Sequence, residues 1–303
     1  MRILLLALIG LVIGSTADSQ MFSPGVISDA KWQWRITFTP DGRTAYFAES
    51  DGFFPATRKA TIYESRRRDG TWSEPTVAAF SGTYSDMDPF ITPDGRRLYF
   101  SSIRPVDGAE RTDLDLWMVE KQPNGWGAPV NLGSEVNTAA DELYASASAD
   151  GTLYFASGPL APGAGKHFDI YRARAAGNRF GASKRFSPRE ALGPGVNTQP
   201  SASDPGPQAA WEFNPEISID GKSLLFCSLR PGGAGLGDIY VSRFVNGEWA
   251  PATPLGPAVN TAADEYHPTM TRDGKHLYFV RRVAGHGDFY VISAEDLGSV
   301  DRR

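Results

Sequence analysis

The sequence predicts an all-β fold built from five repeats, and three observations carry that prediction. Five Asp-Gly pairs, at Asp41, Asp94, Asp150, Asp220 and Asp273, occupy the same place in a recurring pattern. A short strand pattern precedes each pair and an aromatic strand such as Leu98-Tyr99-Phe100 follows it, which is a strong hairpin signal. Successive pairs lie 53 to 70 residues apart, and self-similarity at such a period indicates a repeat architecture.

Each repeat continues with two further strands. The third strand opens with Asp, an apolar residue and an aromatic residue at 115–117, 169–171, 238–240 and 288–290. A glycine beside an aromatic residue, as in Gly125-Trp126, marks a second hairpin, and the fourth strand runs through a Pro and a Leu-Gly. Stacked four-stranded antiparallel units bury the apolar positions of both sheet faces. We therefore predict a five-bladed β-propeller of four-stranded antiparallel blades.

The two ends of the chain predict how the ring of blades closes. The last repeat stops after its third strand, near Ser293, and residues 21–28 before the first repeat have the pattern of a fourth strand. We expect this N-terminal strand to complete the last blade and close the ring, since closure removes exposed strand edges. Residues 18–303 would then form a single propeller domain.

Residues 1–17 have the pattern of a secretory signal peptide. Arg2 supplies the positive charge, residues 3–13 form a short apolar run, and Ser15-Thr16-Ala17 is a small-x-small cleavage site. The sequence therefore predicts an exported protein, either periplasmic or secreted. No later stretch is long and apolar enough for a transmembrane helix, so we expect no membrane span.

Composition narrows the classes of function. The chain carries 30 basic and 35 acidic residues, a formal net charge of −5, and it has no basic run. This balance argues against a nucleic-acid partner. The single cysteine, Cys227, leaves an exported protein without an internal disulfide, so the core must supply the stability. We expect the protein to be a monomer.

The repeats resemble a known family. Pro40-Asp41-Gly42 and Pro93-Asp94-Gly95, with the aromatic strands that follow, are similar to the Pro-Asp type of WD-like repeat in TolB-like exported bacterial proteins. Ala149, Ile219 and Arg272 replace the proline in the other repeats. The resemblance covers almost the whole chain after residue 17. It implies a propeller fold, whereas function remains open because such propellers include scaffolds, binding proteins and a few enzymes.

One position in the repeat concentrates acidic residues. Eight residues before each turn aspartate stand Gln33, Asp86, Glu142, Glu212 and Glu265. We call these the ring residues, because this position begins the innermost strand and should encircle one mouth of the central channel. Two interpretations stay open: the carboxylates cap backbone amides where blades join, or they repel one another and are relieved by a cation or a polyhydroxylated or cationic ligand.

If the second interpretation holds, the ring carboxylates belong to a ligand-binding site. It comprises Asp86, Glu142, Glu212 and Glu265, with Trp32 and Trp211 beside the ring as stacking platforms and His267 two residues beyond it. An oxygen-only donor set would favour Ca²⁺ or Mg²⁺ over zinc, so Ca²⁺ is the expected cation if the ring binds one. Arg104 and Arg230 could bind an anionic ligand or pair with the strand-opening Asp115 and Asp238, and we expect the pairing.

The sequence supports one function and keeps one alternative. We predict a non-catalytic binding or protein-interaction module at the cell envelope, with an envelope protein or a glycan docking at the channel mouth. The alternative is a carbohydrate-active hydrolase, since some five-bladed propellers use paired carboxylates about 5–10 Å apart. Catalytic acids need environments that differ from one another, whereas the ring residues follow the repeat. No catalytic residue is therefore assigned.

Overall fold

The computed structural model describes residues 18–160, 167–176, 186–199 and 209–297. These residues form five antiparallel sheets arranged as a five-bladed β-propeller, which confirms the predicted fold class. The predicted signal peptide, residues 1–17, lies outside the described residues. Within the described ranges, no helix is long and apolar enough to cross a membrane.

Each blade runs from an innermost to an outermost strand. Blade one contains β2 (Trp32–Phe38), β3 (Thr44–Ser50), β4 (Thr61–Arg68), β5 (Thr71–Trp72) and β6 (Thr76–Val77). Blade two contains β7 (Asp86–Ile91), β8 (Arg97–Ser102), β9 (Asp115–Gln122), β10 (Gly125–Trp126) and β11 (Val130–Asn131). Blade three contains β12 (Asp141–Ala147), β13 (Leu153–Gly158), β14 (Asp169–Ala173) and β15 (Glu190–Ala191).

The remaining two blades follow the same order. Blade four contains β16 (Glu212–Ile217), β17 (Ser223–Ser228), β18 (Asp238–Val245), β19 (Glu248–Trp249) and β20 (Thr253–Pro254). Blade five contains β21 (Asp264–Met270), β22 (His276–Val283) and β23 (His286–Ser293). In blades one, two and four the outermost strand is divided into two short segments that pair with the same third strand. A short α-helix, α1 (Phe54–Thr57), and a 3-10 helix at Ala294–Asp296 complete the described elements.

The N-terminal strand closes the ring. β1 (Gln20–Met21) pairs antiparallel with β23, so blade five has the strand order β1-β23-β22-β21. The predicted closure is confirmed, but the strand is shorter than residues 21–28 because the chain turns at Ser23, whose φ is +46°. Phe22 then packs its ring 4.9 Å from that of Tyr278 and 6.0 Å from that of Phe38. The closing segment therefore joins blade five to blade one.

The five Asp-Gly turns share one hydrogen-bonding scheme. In the first turn, the Thr39 hydroxyl donates to Asp41 Oδ1 at 2.6 Å, and the Gly42 amide donates to the Thr39 carbonyl at 2.8 Å. Gly42 has a φ of +66°, which favours glycine. The hydroxyl bond lowers the pKa of Asp41. Three of the turns form without a proline, because the Ser/Thr, Asp and Gly residues supply the contacts that shape the turn.

The core lies between neighbouring blades. Each second strand contributes one fully buried phenylalanine, at Phe47, Phe100, Phe155, Phe226 and Phe279. A single antiparallel sheet can bury only one face by itself, so radial stacking is what removes both faces from water. The buried hydrophobic residues supply the main favourable free energy of folding, since the only cysteine, Cys227, is a buried free thiol.

Candidate functional site

The ring residues lie at the joints between blades. The segment Val-Asn-Thr precedes blades three, four and five, and its Asn side chain bonds to the third strand of the preceding blade. The Leu116 amide donates to Asn137 Oδ1 at 2.8 Å, and Asn137 Nδ2 donates to the Leu116 carbonyl at 3.0 Å. Asn197 and Asn260 make the same pair of bonds to Ile170 and Ile239. This Asn therefore extends each sheet as a strand residue would.

The threonine of the same segment holds the ring carboxylate of the next blade. Glu142 accepts hydrogen bonds from the Thr138 amide, the Thr138 hydroxyl and the Ser157 hydroxyl, each at 2.8 Å. Glu212 receives the equivalent bonds from Thr198 and Ser228, and the Glu265 carboxylate receives those from Thr261. We call this set of contacts the blade joint.

An arginine completes the blade joint at each of the four ring carboxylates. The pairs are Arg104 with Asp86, Arg189 with Glu142, Arg230 with Glu212, and Arg281 with Glu265, at 2.7–3.1 Å. All four carboxylates have zero solvent exposure. The expected pairing of Arg104 and Arg230 with Asp115 and Asp238 is therefore wrong. These two aspartates are also buried, but Asp115 pairs with Arg111 and Asp238 accepts a bond from the Gly235 amide.

The first blade departs from this scheme. Gln33 replaces the carboxylate and donates to Asp29 Oδ1 at 2.8 Å. The position across from it on β3 holds Glu49, which pairs with Lys31 at 2.9 Å. Burial raises the pKa of Glu49, and the Lys31 bond offsets only part of that shift. The joint between blades five and one is thus built from different groups.

The blade joints leave no open donor set for a metal ion. The ring carboxylates accept bonds from Thr, Ser or Arg groups, as described above. Among the described residues, no group of three or more His, Cys, Asp or Glu side chains is arranged to hold a metal ion. Within these ranges the Ca²⁺ expectation therefore has no donor set to support it.

The structure separates the other predicted site residues. Trp32 is half-buried and lies 6.0 Å from Trp34 in a stacked pair, next to the exposed Phe53. Trp211 is half-buried against Phe168, at 5.1 Å between ring centroids. His267 is 2% exposed and lies inside the channel. The seven residues predicted to form one ligand site thus lie in different places: four in the blade joints, the two tryptophans against aromatic neighbours, and His267 inside the channel.

A second set of residues fills the central channel. Two positions after the ring residues stand Arg35, Asp88, Tyr144, Asn214 and His267, one per blade. We call them the channel cluster. Each innermost strand has a register shift at this point, and the last four of these residues have φ between +52° and +63°. Asp, Asn and His adopt such backbone more readily than most residues, so Tyr144 is the clearly strained member, and strain of this kind concentrates at functional sites.

Contacts across the channel connect blades that are not neighbours. Arg35 of blade one pairs with Glu216 of blade four and donates to the Ala145 carbonyl of blade three at 2.9 Å. His267 Nδ1 lies 3.1 Å from Asn214 Nδ2 and 3.6 Å from Asp88 Oδ1. These side chains therefore point into the channel. The sequence pattern predicts only that His267 lies near the channel mouth.

Asp88 is the least satisfied member of the channel cluster. Its carboxyl group has zero solvent exposure, and neither oxygen has a hydrogen-bond partner among the described residues. Burial raises its pKa well above the usual value, and the charge of Arg35 offsets only part of that shift. Burial, together with Arg35, lowers the pKa of His267 well below its usual range. The channel centre is therefore a strained, poorly solvated polar site.

A wide cavity opens on the face that carries the Asp-Gly turns. It has a volume of about 1150 Å³ and takes wall residues from all five blades, including Phe38, Phe90, Ala147, Ile217 and Met270. We call it the funnel. Glu216 lies on its wall, whereas none of the five channel-cluster residues does. The funnel thus ends at the Arg35–Glu216 pair, at the opposite end of the innermost strands from the ring residues.

Comparison with solved structures supports the fold class. TolB from Acinetobacter baumannii is 16% identical with a TM-score of 0.50, over 89% of this chain and 54% of that one. A putative TolB from Agrobacterium tumefaciens is 16% identical with a TM-score of 0.51, over 88% and 78%. An α-L-arabinofuranosidase from Lactobacillus brevis is 14% identical with a TM-score of 0.54, over 87% and 90%. This chain spans about half the length of the Acinetobacter protein.

These similarities define a class of fold. The chain is a five-bladed β-propeller with a TolB-like fold, and it shares that fold with a glycoside hydrolase. No family model matches the chain, and no curated protein matches it. At such low identity the likeness concerns architecture alone, so function has to be argued from the site.

The blade joints generate a stability prediction. Glu212→Gln should lower the free energy of unfolding by roughly 3 kcal/mol, because it leaves Arg230 without its buried counter-charge. Urea-induced unfolding measures this change. The control is Glu120→Gln, whose pair with Arg97 is half-exposed, and its effect should stay below about 1 kcal/mol. Equal effects of the two substitutions would contradict the assignment of a buried joint.

The channel generates a pH prediction. The pKa of Asp88 is higher in the folded protein than in the unfolded chain. The stability that the protonated carboxyl contributes is therefore fully present below the unfolded-state pKa, and it is lost as the pH rises through the folded-state pKa. Asp88→Asn should therefore increase the stability at pH 7.5 more than at pH 4. Unfolding in urea at both pH values tests this. Asp69→Asn is the control, since Asp69 is exposed and has a similar φ of +51°. An Asp88→Asn effect that is independent of pH would disprove the prediction.

Proposed function

We propose that this chain is an exported, non-catalytic binding propeller of the cell envelope whose partner protein docks in the funnel. The observation that carries the proposal is the funnel itself, a cavity of about 1150 Å³ built by all five blades. Its walls include apolar residues such as Ile217 and Met270, and its rim includes charged turn residues such as Asp273 and Lys275. An apolar centre with a polar rim is the usual anatomy of a protein–protein interface.

One side of the funnel supplies an anchor for such a partner. At the closure between blades five and one, the rings of Phe38 and Tyr278 lie 4.6 Å apart, and Phe22 packs against both. An apolar side chain of the partner would contact these aromatic rings.

The export and the repeat type belong to the same proposal. Residues 1–17 support a periplasmic or secreted location through their signal-peptide pattern. The Pro-Asp-Gly turns support repeats of the WD-like type, and the TolB-like fold is compatible with both. The ring carboxylates are assigned to blade joints in this proposal, because arginine, threonine and serine groups take up their hydrogen-bonding capacity.

The hydrolase alternative needs two carboxyl groups that face an open pocket. The ring carboxylates are buried and paired with arginine, Asp88 is fully buried, and Glu216 is paired with Arg35. None of these groups has the solvent access that a glycosidic bond would require. The geometry therefore favours binding over catalysis.

Site-specific photo-crosslinking in cells tests the docking face. A crosslinking residue at Ile219, 40% exposed on the funnel, should capture one discrete envelope protein. The same residue at Leu236, 76% exposed in the loop between β17 and β18, is the control and should capture none. Met270→Arg should abolish the Ile219 product, because it places a charge on the apolar wall.

Two results would overturn this proposal. The first is a discrete product at Leu236 with none at Ile219, which would move docking to the opposite face. The second is hydrolysis of nitrophenyl glycosides by the purified protein that is lost in Glu216→Gln, which would establish the hydrolase alternative.

A further inference from the structure

We infer that a second cavity, between blades one and two, binds an acidic saccharide unit. It has a volume of about 580 Å³ and lies at the ring-residue end of the propeller, away from the funnel. We call it the interblade pocket; Lys31, Glu49, Lys59, Tyr63 and Tyr84 are among its lining residues. Its volume falls within the range of about 300–1,000 Å³ that is common for small-ligand sites.

The charge of the interblade pocket favours an anion. Three basic side chains, Lys31, Arg58 and Lys59, line it together with two acidic ones, Glu49 and Asp51. The pocket is therefore positive on a protein whose net charge is −5.

The basic residues do not contribute equally. Lys31 is paired with Glu49 at 2.9 Å, and Arg58 is paired with Asp141 at 2.9 Å. The backbone amide of Lys59 donates to the Thr57 hydroxyl, whereas its exposed ammonium group has no hydrogen-bond or ion-pair partner among the described residues. Lys59 is thus the cation that can pair with a ligand carboxylate without breaking an existing contact.

Hydroxyl and aromatic groups in the pocket fit a sugar ring. The side-chain hydroxyls of Thr61 and Thr83 line it, and no described residue bonds to either, so both can donate to and accept from sugar hydroxyls. The rings of Tyr63 and Tyr84 also line it. Lys31 and Phe47 already pack against the Tyr63 ring, whereas Tyr84 is 39% exposed and carries Arg104 against its ring, so Tyr84 is the aromatic residue open to a sugar. The C–H edges of a sugar ring are weakly positive and pack on the negative face of an aromatic ring.

The pocket is located where the repeat pattern is interrupted. Among the described residues, only the first blade contains an α-helix, α1, in the loop between its second and third strands. Arg58 follows α1 with a φ of +49°, a strained conformation for this residue type. Glu49 occupies the position that Ser102 and Ser157 hold in blades two and three. Departures from a repeat that the fold does not require are expected at functional positions.

Calorimetric titration at low salt tests this inference with three probes: D-glucuronate, D-glucose and acetate. D-glucuronate should bind at least about tenfold more tightly than either of the others, because only it combines the carboxylate with the sugar ring. Lys59→Gln should weaken glucuronate binding roughly fivefold, the size of an exposed ion pair. Tyr84→Ala should weaken the binding of glucuronate while leaving the fold intact, since the side chain is partly exposed.

The controls separate this site from general effects. Lys222→Gln removes the same charge from an exposed turn that lines neither cavity and should leave glucuronate binding unchanged. Met270→Arg in the funnel should also leave it unchanged, so this inference and the proposed docking function can fail separately. Equal binding of glucuronate and acetate, or of glucuronate and glucose, would overturn the assignment. So would an equal loss in Lys222→Gln and Lys59→Gln.

Discussion

The buried charge pair found at four of the five joints between blades is the interaction on which the propeller depends. A four-stranded sheet is stable only when neighbours cover both faces, so the blades have to be held at a fixed spacing. At four joints a fully buried carboxylate receives an arginine, and hydroxyl groups supply further bonds. Removing one partner would leave an uncompensated buried charge, which is why the acids and the arginines recur together.

Because the ring carboxylates serve the blade joints, binding of partners and ligands falls to other surfaces of the molecule. With the ring carboxylates engaged, the described residues still form two open cavities, the funnel on the turn face and the interblade pocket at the other end. Between them the channel cluster closes the middle of the channel through contacts such as Arg35–Glu216. The two cavities are therefore chemically distinct, one largely apolar with a mixed rim and one basic and rich in hydroxyl groups.

Local patterns in the sequence predict the fold because they are repeated five times. Asp-Gly turns, aromatic second strands and the unpaired N-terminal strand together define the blades and the closure of the ring. The site is harder to predict, because its contacts join residues far apart in the chain. Arg104, Arg230 and Arg281 follow their ring carboxylates by 16 to 18 residues, which is a regular spacing in the sequence. Arg189 follows Glu142 by 47 residues, so no common spacing reveals that pair. The position of Asp88 and His267 is visible in the repeat, but their approach across the channel depends on the bulged backbone.

Native-state amide hydrogen exchange tests the central claim, that the ring residues hold the blades together, most directly. The amides of Thr138, Thr198 and Thr261 lie in linkers, yet each donates to a buried ring carboxylate at 2.8–3.0 Å. If the joints hold the ring, these amides should exchange only through global unfolding, with protection equal to that of the core strands. Exchange at the rate of an exposed loop residue such as Gly232 would contradict the account.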